Sequence, residues 1–366
     1  MRFTLLVALC VFSTIVQQEQ TVDGRPVRVI ANDKISLTIR SVGGAMVQLF
    51  LKDDPDKLNP LEGLGHFVCV DGFGPVSSEE RAAGLPGHGE AHRVTWDMAS
   101  TEKKDGVLTV AFSASLPLVQ ETFRRTISIV DGENVIYVDS ELESLLGFDR
   151  PVNWGEHFTI GGSFLEQGRT LTDMSATRSM TRSYASEAVD PPDNHNLADS
   201  KEFDWPMAPT VSGKPIDMRV APTISPVMDQ TTSLMDPARR LVFVTALHPD
   251  KKALIGYIFR RDEYPWLQIW DSYPGSSRRS YRGMEFATQP YDLPRRDVIQ
   301  TNTMFGTPTY RWLPAKSKIA SSFLMFYTRT DEGFTRVDDV VLEGGKITIE
   351  DRGASKKIVL KASRQL

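Results

Sequence analysis

Phe123-Arg124-Arg125-Thr126-Ile127-Ser128-Ile129-Val130, then Asp131-Gly132-Glu133-Asn134, then Val135-Ile136-Tyr137-Val138-Asp139-Ser140-Glu141-Leu142: this stretch decides how the chain folds. Two β-rich runs flank a Gly-containing loop of hairpin length, which predicts paired antiparallel strands. The same period of two recurs on either side. Ile35-Ser36-Leu37-Thr38-Ile39-Arg40 alternates strictly, and Val107-Leu108-Thr109-Val110-Ala111-Phe112-Ser113-Ala114 is a further run of the kind. Further strands are expected at 241–247, 253–259, 265–270 and 319–328, with a closing pair at 346–350 and 356–361. No amphipathic helix longer than two turns is evident. So many strands in one chain imply an all-β fold, mostly antiparallel, built as a large sandwich.

Between about 167 and 238 the rhythm breaks into a stretch rich in Pro, Asp, Ser, Thr and Met, including Asp190-Pro191-Pro192-Asp193 and Trp205-Pro206-Met207. Strand-like runs flank it without a shift in composition, so it is read as long loops over one sheet within a single domain from 21 to 366. The first twenty residues differ in kind. A basic start at Arg2, an apolar run over 3–16 and the polar exit Gln17-Gln18-Glu19-Gln20 predict a signal peptide and an exported protein, periplasmic or extracellular. A run this short does not anchor a chain in a bilayer, and no other stretch approaches the apolar length of a membrane-spanning helix.

Across 366 residues, 42 Lys and Arg face 47 Asp and Glu, a formal net charge of −5. Without a basic excess or stripe, nucleic acid is not the expected partner. The two cysteines form no disulfide framework, and Cys69 in Phe67-Val68-Cys69-Val70 reads as an inert core thiol. Neither Gly43-Gly44 nor Gly161-Gly162 has the spacing of a phosphate loop, and there is no Gly-x-Ser-x-Gly elbow. His88 and His92 have ligand spacing for a helix, but Pro86, Gly87 and Gly89 argue against one, so no metal is expected.

Four local contexts carry the remaining candidates: Pro86-Gly87-His88-Gly89-Glu90-Ala91-His92-Arg93-Val94-Thr95-Trp96; Asn153-Trp154-Gly155-Glu156-His157-Phe158; Trp266-Leu267-Gln268-Ile269-Trp270-Asp271; and Arg282-Gly283-Met284-Glu285-Phe286-Ala287-Thr288-Gln289-Pro290. On a strand, Glu285 faces away from apolar Met284 and Phe286, as a site residue or an exposed sheet-face residue would. Trp266 and Trp270 are four apart and share a face, where they serve as core or as a stacking platform. Trp154 is a third stacking candidate. The run Arg278-Arg279-Ser280-Tyr281-Arg282 suits either an anionic group on a ligand or a solvated surface.

The order of these motifs resembles the aldose 1-epimerase (galactose mutarotase-like) superfamily, and its divergent branches most. The resemblance rests on His88-Gly89 with Trp96 eight residues on, a strand histidine followed by an aromatic at His157-Phe158, and Glu285 in a Gly-x-Glu-x-x-Thr-x-Pro setting. It implies a β-supersandwich with a sugar-binding face, His157 as general acid, Glu285 as general base and His88 contacting the sugar. The family's usual Arg four residues after the first His is His92 here, with Arg93 beside it, and 167–238 has no counterpart. Anomer exchange needs one group to take the C1 hydroxyl proton while another protonates the ring oxygen, then the reverse on closure, so no cofactor is called for. The expected partner is a monosaccharide or derivative, with Trp154, Trp266, Trp270, Asp271, His92 and Arg93 as further binding residues. Two alternatives stay open. One is a non-catalytic carbohydrate-binding protein on this fold; the other is a polysaccharide lyase or glycoside hydrolase drawing its carboxylates from Glu156, Asp271 and Glu285.

Overall fold

A computed structural model describes residues 20–183, 194–275 and 279–366. Residues 1–19, which hold nearly all of the expected signal peptide, and Arg278 lie outside the described residues. Strands dominate, and the hairpin expected around Asp131-Gly132-Glu133-Asn134 is present as Glu121–Val130 and Val135–Ser144, paired antiparallel.

Two large antiparallel sheets face each other. An eight-stranded sheet runs in the order Leu171–Met174, Leu241–His248, Ala253–Arg260, Lys318–Arg329, Val135–Ser144, Glu121–Val130, Val107–Leu116, Asp97–Lys104. The other has eleven strands, six of which carry the site. In chain order these are β1 (His66–Val70), β2 (Trp154–Ile160), β3 (Ala176–Thr181), β4 (Val227–Met235), β5 (Trp266–Tyr273) and β6 (Tyr281–Ala287). In space they run β1-β2-β6-β5-β4-β3. Among the described residues the α-helices are short, α1 (Ser78–Ala82) and α2 (Arg295–Thr301), and no helix is long and apolar enough to cross a membrane.

The core lies between the sheets. Phe286 of β6 stacks on Phe259 of the opposite sheet with ring centroids 4.3 Å apart, and Phe158 of β2 meets Tyr257 at the same distance. A charged cluster is sealed into this layer. Glu156 of β2 accepts from Arg125 Nη2 at 2.5 Å, Trp154 Nε1 at 3.2 Å and Tyr264 Oη at 3.2 Å, and its other oxygen lies 2.9 Å from His66 Nε2. Arg125 belongs to the eight-stranded sheet, so this ion pair crosses the core. The outer face of that sheet is itself covered by a three-stranded sheet, Asp339–Glu343, Lys346–Asp351 and Lys356–Lys361, which packs Val340, Leu342, Ile347 and Ile349 onto Phe243, Leu254 and Phe326. Burial on both faces explains why Leu241–His248 reads as a nearly continuous apolar run rather than an alternating one.

The stretch 167–238 departs from the expectation of long loops. It supplies Leu171–Met174 to one large sheet and β3 and β4 to the other. The sequence Val-Met-Asp-Gln-Thr-Thr-Ser-Leu-Met of β4 hides its strand character because its Thr and Ser are buried between neighbouring strands. Hydroxyls there replace the apolar alternation on which pattern reading depends.

Candidate functional site

Strand register brings the site together. Because β2 pairs with β1 and β6, and β6 with β5, one rung across the sheet carries Phe67, His157, Glu285 and Gln268 side by side on one face. Glu156, Phe158, Met284 and Phe286 point the other way, into the core. This is the outer face of the eleven-stranded sheet. Two segments border it: residues 71–92 beyond β1, and residues 288–301 beyond β6.

At the centre, His157 Nε2 lies 3.4 Å from Glu285 Oε1, and His157 Nδ1 is 3.1 Å from the Thr159 hydroxyl. Both groups are almost entirely shielded from solvent, at 5% and 3% exposure. Burial pushes the Glu285 carboxyl up to about 8, with Arg182 pulling it back. Burial also holds His157 well below its ordinary value, and His88 adds to this. At neutral pH the pair therefore rests with its exchangeable proton on Glu285. Gly283, two residues earlier on the same face, makes room for this carboxylate: a Cβ there would stand 2.3 Å from Glu285 Oε1.

His88 reaches the pair from the first border segment. Its backbone is in the left-handed region, φ +65°, and its N–H donates to Gly74 O at 2.9 Å, while Gly74 N donates back to His88 Nδ1 at 3.1 Å. With Nδ1 committed as acceptor, the neutral ring carries its proton on Nε2 and is a donor to whatever occupies the site. Burial, then the charges of His92 and Arg93, push it down to about 4, so it is neutral at physiological pH. Phe67 stacks on His157 at 4.2 Å and touches His88 and His92 as well. Cys69, fully buried beneath, places Sγ 3.5 Å from His88 Nδ1. Trp96 closes the segment from the core side, its indole N–H donating to Ala91 O at 2.8 Å.

The expected residues divide between the two faces. His88, His157, Glu285 and Trp270 converge, with the half-buried Trp270 ring 6.3 Å from His157 across Gly283. His92 is half-buried 5.8 Å from His88, and its Nε2 accepts from Arg93 Nε at 3.2 Å, with Arg93 exposed at the rim. The others do not join them. Trp154 is fully buried in the core, bonded to Glu156 and set edge-on to Phe123, because it falls on the inward phase of β2. Trp266 shares Trp270's face but is roofed over, its indole donating to Pro308 O at 3.0 Å. Asp271 lies on the core face in a fully buried bidentate pair with Arg282. The Arg run is thereby dispersed, since Arg282 is internal and Arg279 reaches Glu62 at 3.7 Å.

Sequence reading missed Phe67, Gln268, Gln230 and Arg182. Gln230 Nε2 donates to Gln268 Oε1 at 2.8 Å, and Gln268 Nε2 donates to Gln289 O at 3.4 Å. Arg182 donates to Asp292 through its carboxylate and its carbonyl. Alternation with apolar neighbours marks Gln268 as outward-facing on β5; nothing in the sequence marks the other three. Among the described residues, no group of three or more His, Cys, Asp or Glu is arranged to hold a metal ion.

No protein-family model matches the sequence, and no curated protein does. Solved structures do. A galactose mutarotase-like protein from Clostridium acetobutylicum superimposes with a TM-score of 0.60 at 12% identity, covering 86% of this chain and 98% of its own. A galactose mutarotase related enzyme from Lactobacillus acidophilus does so at 0.56 and 14%, covering 84% and 99%. A galactose mutarotase-like protein from Lactobacillus casei does so at 0.53 and 14%, covering 82% and 100%. At such identities the likeness is one of fold: the chain has the galactose mutarotase-like all-β architecture.

Proposed function

We propose that the protein binds a carbohydrate with a free anomeric centre and interconverts its anomers, His157 and Glu285 exchanging protons with the sugar. The observation that carries this reading is the contact between His157 Nε2 and Glu285 Oε1, 3.4 Å apart on a shielded sheet face with His88 beside them. The C1 hydroxyl oxygen and the ring oxygen are both bonded to C1, so two adjacent groups suffice to reach them.

Within the pair, the proton resting on Glu285 crosses to His157. The imidazolium then protonates the ring oxygen as Glu285 takes the C1 hydroxyl proton, and the ring opens to the aldehyde. Rotation about C1–C2 presents the other face. On closure Glu285 returns its proton to the carbonyl oxygen while His157 recovers the one it gave. His88, a neutral donor, suits a sugar hydroxyl, and the half-buried Trp270 offers an apolar surface to the C–H face.

A hydrolase would need a second carboxylate across the bond. Glu156 and Asp271, the other candidates, lie on the opposite face in buried ion pairs, which favours the anomerase reading. The test is anomer exchange by NMR on free sugars. Removing one of the two groups, as in His157→Ala or Glu285→Gln, is expected to slow exchange by about 10²–10⁴-fold. Unchanged rates in both variants, or saturable binding with no exchange by the wild type, would remove the catalytic role.

A further inference from the structure

Thr159 follows His157 by two residues on β2, so their side chains share the outer face of the sheet. It is fully buried, its N–H donates to Gly65 O at 3.0 Å, and it stands opposite Gly283 of β6 in the register. Branching at Cβ leaves a threonine few χ1 choices, so a hydroxyl buried in this way is held in place. That hydroxyl is 3.1 Å from His157 Nδ1, whereas Glu285 Oε1 meets the other ring nitrogen, Nε2, at 3.4 Å. Phe67 lies nearly flat against the ring, with centroids 4.2 Å apart and planes 18° from parallel. Each ring nitrogen thus faces a different polar partner, and turning the ring over would put C–H groups in place of both.

A hydroxyl can donate or accept, so the contact at Nδ1 is compatible with either tautomer. Proton accounting chooses between them. Glu285 touches Nε2, so the proton it passes to the histidine enters there, which requires Nε2 to be bare beforehand and the ring's resting proton to be on Nδ1. In the opposite tautomer Nε2 already holds a hydrogen, and the incoming proton would have to be taken up at Nδ1, which faces Thr159 and not the carboxyl. Once the imidazolium has formed, both nitrogens are donors, and a shielded Nδ1–H without an acceptor would be costly. The Thr159 oxygen accepts from it in both states. His88 has the reverse arrangement, since a backbone N–H, that of Gly74, donates to its Nδ1.

Resting on the anomerase reading, we propose that Thr159 is a positioning residue: its hydroxyl oxygen accepts from His157 Nδ1–H, fixes that tautomer and keeps Nε2 aimed at Glu285 as the nitrogen through which protons pass. It acts through His157, not on the sugar.

The tautomer is read without any sugar, by long-range proton–nitrogen NMR correlation on nitrogen-15-labelled protein near neutral pH, with His157 assigned by its disappearance in His157→Gln. Wild type is expected to show His157 protonated at Nδ1 and His88 protonated at Nε2. Thr159→Val keeps the branched shape and removes the oxygen. It is expected to move His157 toward the Nε2–H form and to lower kcat by about 10- to 100-fold on glucose or galactose, whichever the wild type exchanges faster, with KM within about twofold. Thr159→Ser, which restores the oxygen, should recover the tautomer and most of the rate. A wild-type His157 protonated at Nε2 would overturn the inference, and that spectrum decides even if Thr159→Val fails to fold. An unchanged tautomer in Thr159→Val would overturn it too, whatever the rate, because packing alone would then account for any loss. If the wild type exchanges neither sugar, the anomerase reading fails separately, and the spectra of wild type and Thr159→Val alone decide whether Thr159 sets the tautomer.

Discussion

Glu285 shows how little backbone a site needs to alter a carboxyl group. Its ordinary value of 4.5 rises to about 8 because burial penalises the anion and Arg182 only partly offsets this. The anomerase mechanism needs one proton on the His157–Glu285 pair, and that proton leaves as pH rises through about 8. The rate profile is therefore expected to be flat near neutrality and to fall about tenfold per unit above that point, measured as kcat/KM for exchange. The same shift sets a stability slope. Between 4.5 and about 8 the folded chain holds a proton on Glu285 that the unfolded chain has lost, so this group's contribution to stability declines across that window as pH rises. Glu285→Gln should remove that contribution and unfold at higher denaturant than wild type at pH 9, by roughly 2–4 kcal/mol. Gly283 acts at the same scale. Gly283→Ala drives a methyl group into Glu285 Oε1, and a displacement of that kind costs about 10²-fold in exchange rate. Circular dichroism should show the fold retained, since the clash is with a side chain at a shielded but open face.

At the scale of elements, the two segments bordering the site are tied to each other. Asp71, which begins the segment carrying His88, is bonded by Arg150 and lies 3.4 Å from Arg295 Nη1 at the start of α2. Arg295 also pairs with Glu80 of α1 at 3.0 Å, and Arg296 with Glu79 at 3.1 Å. The segment holding His88 and the one holding Asp292 are therefore positioned together, and Arg295 is the link. Arg295→Gln should loosen both, lowering kcat/KM by about 10- to 100-fold with little loss of stability, because the side chain is partly solvated. Arg295→Lys, keeping the charge but not the fork, should recover part of the loss in the same assay. These elements were unequally visible beforehand. The Pro and Gly residues around His88 foretold a turn rather than a helix, and His88 does occupy a left-handed backbone position. Nothing in Arg295-Arg296 foretold its partners, because Asp71 and Glu79-Glu80 are more than 200 residues away in the chain.

For the whole molecule, the eleven-stranded sheet keeps the buried charged cluster and the proposed site on opposite sides. Its inner face holds Glu156 with Arg125, His66, Trp154 and Tyr264; its outer face, one residue along the same strand, holds His157. Glu156→Gln leaves Arg125 buried without its counter-charge and should cost about 3–5 kcal/mol in denaturant unfolding, with exchange by the surviving folded protein nearly unchanged. Substitutions at His157 should do the reverse. The sequence by itself determined that strands prevail, since alternation and the Asp131-Gly132-Glu133-Asn134 hairpin are local signals. It also set the opposite phases of Glu285 and its apolar neighbours, because a strand turns successive side chains to opposite faces. It left Trp154, Trp266 and Asp271 as candidates and hid β3 and β4 in a polar stretch. Only the tertiary structure decided these, because which face of a strand meets the core depends on the sheet packed against it, and which strands are neighbours depends on register between segments far apart in the chain. Tertiary structure alone placed His157 within 3.4 Å of Glu285, closing two positions 128 apart in the chain into a single rung of one sheet.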